Sequence, residues 1–202
     1  MIRPGVIAVS LLAAVAMTVS GVGGYVGASK VVDWVDESVR AEVGEVDEPT
    51  TNPDGASLSL PIITPAFETR LTGPLTIEEE PVDLADGFPT GRQVIWENDV
   101  CAVAALDLGA ERMAAGRTFD LDLAVQGGAS AVQMSVSTVG ATDVQGREGR
   151  QVVMTDGQQF AHVLFVVHGQ YLLSLLCVSS TDSRPTELQV AIDNLVLKDG
   201  AL

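Results

Sequence analysis

The chain has 202 residues, 11 Lys plus Arg against 27 Asp plus Glu, a formal net charge of −16 at pH 7 and 47% hydrophobic residues. That length accommodates one ordinary domain with an appendage and disfavours a large enzyme or a repeat array. The acidic balance repels nucleic-acid phosphates and anionic headgroups, so electrostatic binding to either is disfavoured, while basic partners and metal ions remain open.

From Gly5 to Ala28 no side chain is charged, with Arg3 before this run and Lys30, Asp33, Asp36 and Glu37 after it. A hydrocarbon core of about 30 Å needs roughly 20 helical residues, so residues 1–30 are expected to form a membrane anchor. The competing reading is a cleaved secretory signal with Ala14-Val15-Ala16 as its small-x-small site. The retained anchor is preferred because apolar residues continue well past Ala16. Either way the remainder is sent outward: a single-pass protein of the cytoplasmic membrane with its C-terminal domain outside, or a secreted domain. Gly23 and Gly27 form a small-xxx-small pair at which a second membrane helix can approach closely.

Val31, Val35, Val39 and Val43 recur every fourth residue with Asp33, Asp36, Arg40 and Asp47 opposite, so 31–47 reads as an acidic amphipathic helix. Residues 48–65 carry Pro49, Pro53, Pro61 and Pro65 and read as an extended linker, with Leu58 to Ile63 able to dock on the C-terminal domain. The domain itself is expected over 66–202.

Within it, Val94 to Trp96 reads as a strand, and Val100 to about Leu108 as another, followed by a short helical turn over Glu111 to Ala115. Phe119, Leu121, Leu123 and Val125 alternate with polar residues, which predicts a strand carrying Asp120 and Asp122 on one solvated face. Val132 to Val139 alternates likewise. Val152 to Met154, Phe160 to Val167 and Tyr171 to Val178 form a meander, with Asp156-Gly157 as a two-residue hairpin and His168-Gly169 as the next turn. Pro185 starts a terminal helix whose Leu188, Ala191, Ile192, Leu195 and Val196 share one side. The fold class is therefore α+β: an antiparallel β-meander sheet covered by a C-terminal helix and preceded by an N-terminal transmembrane helix.

Cys101 and Cys177 are the two cysteines, both in apolar strand-like segments on the side of the anchor where an oxidising compartment would lie. A disulfide between them is expected, and in the chain-entropy account it contributes on the order of 4 kcal/mol. The alternative is two buried thiols acting as small hydrophobes. No cysteine precedes Cys101, so the acylated cysteine of a bacterial lipoprotein is missing.

No constellation for catalysis stands out. His162 and His168 share a strand face but lie roughly 20 Å apart at about 3.4 Å per residue, too far to ligate one metal, so structural roles are expected. Glu78-Glu79-Glu80 with Asp83 and Asp86 is the densest acidic cluster and reads as solvated charge. The serines lack a Gly-x-Ser-x-Gly elbow, and Gly127-Gly128 and Gly146-x-x-Gly149 read as loop punctuation without a phosphate-loop ending. No cofactor, metal site or enzymatic activity is expected.

The stretch from Val132 through Leu197, with its strands Phe160 to Val167 and Tyr171 to Cys177, Gly169, and the helical Leu188 to Leu195, resembles PsbP-like extracytoplasmic domains, including actinobacterial lipoprotein relatives. It is also similar to the extracellular sensor domains of some actinobacterial receptor kinases. The resemblance implies a noncatalytic binding, accessory or sensing domain outside the cytoplasmic membrane, and carries over no ligand residue. The leading expectation is an accessory or scaffold protein of a membrane complex, held by its N-terminal segment and a membrane-protein partner. The alternative is a secreted or anchored domain that binds a small apolar ligand or envelope component on a sheet face under the terminal helix.

Overall fold

The computed structural model describes residues 59–82, 91–107, 109–110 and 121–198, together with residue 4. Residues 5–58, which hold the expected anchor, the valine-striped helix and most of the linker, lie outside the described residues, as do Glu111 to Ala115, Asp120, Asp83 and Asp86. Among the described residues no helix is long and apolar enough to cross a membrane.

The paired chain begins inside the proline-bearing stretch. Strand β1 (Ser59–Ile63) runs antiparallel to β2 (Phe67–Thr72), and β2 also pairs with the short β10 (Val196–Leu197), giving a small sheet in the order β1-β2-β10. Pro61 is tolerated in β1 because that strand is an edge, where a missing N–H breaks no ladder.

The main sheet has seven antiparallel strands, β3 (Thr76–Val82), β4 (Gly91–Glu97), β5 (Cys101–Asp107), β6 (Ser135–Val144), β7 (Arg147–Thr155), β8 (Phe160–His168) and β9 (Tyr171–Ser179). Their order is β3-β4-β5-β9-β8-β7-β6. One meander thus runs from β3 to β5. The chain then crosses to the far edge, and a second meander returns from β6 to β9, meeting the first along a β5/β9 seam. The seam lies between strands distant in sequence.

The sheet's two faces are buried differently. Ala102, Ala104, Leu106, Leu172, Leu176, Val163 and Phe165 point one way and pack with helix α1 (Leu121–Ala131). Val103, Leu164, Val166, Leu173 and Leu175 point the other way, against Ile62, Phe67 and Leu71 of the small sheet and Leu188, Ala191 and Leu195 around helix α2 (Thr186–Asp193). Period-two alternation with both faces covered accounts for the nearly continuous burial of β5, β8 and β9. The terminal helix therefore covers a sheet face as expected, starting after Pro185, whose φ of −61° suits a helix entry. Val196 leaves that helix for β10 and is 50% exposed.

Two further expectations are corrected. The segment from Leu121 is helical. Leu121, Val125 and Ala129 recur every fourth residue, a spacing shared by a period of 2 and a period of 3.6, so the pattern does not choose between them; in the helix all three are buried in the core shared with the main sheet. Gly127 and Gly128 fall inside it rather than in a loop. The helix ends in a Schellman motif: Gln133, at φ 57°, donates its N–H to Ser130 O, and Met134 donates to Ala129 O. The Asp156-Gly157 connection is longer than a two-residue hairpin, because Thr155 pairs with Phe160. Asp156 Oδ1 accepts from the N–H of Gln158 at 2.8 Å and of Gln159 at 2.9 Å, which closes the turn.

Candidate functional site

Cys101 and Cys177 face each other across the seam and are joined by a disulfide. Val178 donates its N–H to Val100 O at 2.8 Å, so the adjacent Cys101/Cys177 pair is the non-hydrogen-bonded kind, in which side chains approach most closely. Their Cα atoms are 4.1 Å apart. Both residues are buried on the α2 face, one percent exposed or less. The bridge thus links the two meanders inside the core.

His162 and His168 lie on that same face of β8, both buried. His168 Nε2 donates to Lys198 O at 2.9 Å, and His162 Nε2 lies 3.4 Å from Thr181 O. A carbonyl accepts only, so Nε2 carries the proton in each such contact. The histidines tie β8 to the backbone on either side of α2. Among the described residues no group of three or more His, Cys, Asp or Glu side chains converges to hold a metal.

The acidic strand β3 forms one edge of the main sheet. Glu78 and Glu79 are exposed, and Glu79 pairs with the exposed Arg92 of β4. With Pro81 in the same strand, this edge repels pairing with another chain. The opposite edge, β6, differs: Ser135 to Thr142 contains neither charge nor proline.

Beside β6 the surface opens into a groove of about 400 Å³, lined by Asp122 and Gln126 of α1, Val136, Val139 and Ala141 of β6, and Arg150 of β7. A register shift between Val136 and Thr138 puts Val136 and Val139 on one face despite their odd spacing. Val139 is 43% exposed. Arg150, with only 15% of its side chain exposed, fixes one wall: its Nε donates to Asp122 Oδ1 at 2.8 Å and its Nη1 to Glu148 at 2.9 Å and to Gly149 O at 3.0 Å. The hydrogen bond from Arg150 holds the Asp122 carboxyl below the usual carboxylate range. An apolar floor, the Asp122 carboxylate and a sheet edge with no further strand among the described residues therefore adjoin one another.

Asp122, expected on a solvated strand face, stands instead in the first turn of α1 and belongs to this groove. Gln126, Val136, Val139, Ala141 and Arg150 carry no site motif in the sequence. No composition signal marks them either: the stretch from Leu123 to Thr142 is uncharged, but so are the longer runs Gly5 to Ala28 and Gly157 to Thr181. Gly23 and Gly27 lie outside the described residues. No protein-family model and no curated protein matches the chain.

Proposed function

We propose that the protein is a noncatalytic accessory or scaffold protein of a membrane complex, held in the cytoplasmic membrane by its N-terminal segment, with the sheet domain outside. The observation that carries this reading is the Cys101–Cys177 disulfide, buried at the seam between the two meanders. Persistent disulfides belong to oxidising compartments, and the uncharged run from Gly5 to Ala28 supplies either an anchor or an export signal for reaching one. The extracytoplasmic resemblance of the Val132 to Leu197 stretch agrees with it. The sheet face under the terminal helix is filled by Phe67, Leu188, Ala191 and Leu195, which favours a scaffold over a domain enclosing a small apolar ligand there.

Gentle-detergent extraction of the tagged chain from its native membrane, with mass spectrometry of the intact chain and of everything eluting with it, tests the proposal. A full-length chain with stoichiometric membrane partners is the expected result, and Gly23→Leu with Gly27→Leu should release those partners. A chain that begins at Met17 and elutes alone would make this a secreted domain.

A further inference from the structure

We infer that the β6 edge is a docking site for an extended segment of a partner protein, which adds as an eighth strand to the main sheet and seats apolar side chains in the groove beside α1. The inference rests on the scaffold reading and names how its partner is held.

The β6–β7 hairpin turns through Gln145 and Gly146, with φ of 53° and 77°, the two positive values of a type I′ turn. In such a two-residue hairpin the flanking pair, Val144 and Arg147, exchanges both backbone hydrogen bonds, and the pattern then alternates along the ladder. Asp143, Ala141 and Val139 consequently direct their N–H and C=O groups away from β7. Among the described residues no strand lies beyond β6 to receive them. The side chains of Val139 and Ala141 line the groove, so the residues that offer backbone bonds also offer the apolar floor. Backbone pairing for affinity and a pocket for alternate side chains is the pattern of strand-addition recognition.

The contrast between the two edges supports a functional β6. β3 is blunted by Glu78, Glu79 and Pro81, whereas β6, past its register shift at Val136/Thr138, runs from Thr138 to Val144 with only Asp143 charged. Long uncharged edges invite pairing and are normally guarded.

Charge selects the occupant. A second copy would bring another −16 to the interface, and like charge opposes it. Asp122 lines the groove, Asp143 follows the groove-lining Ala141 by two residues on the same face of β6 and stands opposite Glu148, and Arg150 is already engaged by Asp122 and Glu148. An extended segment with valine-sized residues on its groove side, followed two residues on by Lys or Arg on that same side, fits both the floor and these carboxylates.

The test uses the full chain in mild detergent and a blocked, fluorophore-labelled heptapeptide with Lys, Val, Val and Lys at odd positions and Thr between. Anisotropy should show saturable binding, weakened at least about tenfold when Glu replaces both Lys, a factor worth about 1.4 kcal/mol. N-methylation of one alternating set of peptide amides should weaken binding by a similar factor while the other set has little effect, since only every second amide of an added strand faces the edge. Ala141→Pro, which removes an outward N–H, should abolish binding. Should that variant fold poorly, the methylated peptides report the same hydrogen bonds on the unaltered chain. Equal binding of both methylated peptides, no binding at about 1 mM, or a sedimenting dimer that Ala141→Pro dissociates would each overturn the inference. Partners that co-purify with wild type and with Ala141→Pro alike would sink this inference and leave the scaffold reading standing. Peptide binding by a chain that extracts without partners would do the reverse.

Discussion

Asp156 shows how one side chain sets a connection. Its carboxylate receives the N–H groups of Gln159 and Gln158, and those backbone bonds hold its pKa below the ordinary aspartate value. A group with a depressed folded pKa contributes stability that is fully present above its unfolded value, near pH 3.9, and is lost as the pH falls through the lower folded value. Wild type should therefore lose thermal stability on acidification through that window more steeply than Asp156→Asn, whose amide oxygen keeps the turn but does not titrate there. Melting curves followed by circular dichroism from pH 6 to pH 2.5 provide the comparison. Equal slopes would show that the turn tolerates a protonated carboxyl. Gln145 works at a similar point on the other side of β7: its side-chain amide donates to Leu195 O at 2.6 Å and accepts from Leu197 N–H at 3.0 Å, clamping the hairpin tip to the last strand. Gly149 is also required by its place, because a Cβ there would stand 2.7 Å from Phe165 O.

At the scale of elements the β5/β9 seam is the pairing that local sequence does least to enforce, and the disulfide spans it with a sequence separation of 76. Replacing both cysteines, Cys101→Ala with Cys177→Ala, should lower unfolding stability by about 4 kcal/mol in urea titrations. Native protein should also resist reduction until it is unfolded, since neither sulfur is exposed to a reductant. A double variant as stable as wild type would mean that apolar packing alone holds the seam. The strands β7, β8 and β9 were legible because their hydrophobic runs end in turn residues such as Gly157 and Gly169, both at positive φ. Helix α1 was not, because Leu121 and Val125 satisfy strand and helix spacing equally, and only the sheet beneath decides. The small sheet was hidden for another reason: β1 contains Pro61 and β10 has two residues, so neither carries a periodic pattern of its own. The groove is a tertiary product of three elements and has no signature in the sequence.

The whole molecule carries its charge unevenly matched, 27 acidic against 11 basic residues. Exposed pairs such as Arg92 with Glu79 contribute little against that background. Self-repulsion should make the fold less stable at low ionic strength, and the melting temperature should rise as salt goes from about 0.01 M to about 0.15 M, where the screening length shortens from about 30 Å to about 8 Å. A falling melting temperature would mean that local pairs, the Arg150 trio first among them, outweigh the global term.

The disulfide also bears on what happens under a mechanical load. Cys101 and Cys177 close a covalent ring, and β6, from Ser135 to Val144, lies within it. Among the described residues, tension entering from the N-terminal side meets β1, an edge strand of a separate small sheet, before the main sheet, and β1 can peel away while the seven-stranded sheet keeps its pairing. Any pull between that end and β6 must then divide between two arms of the ring, so the segment between Cys101 and Cys177 cannot be drawn out as a single thread while the bond holds.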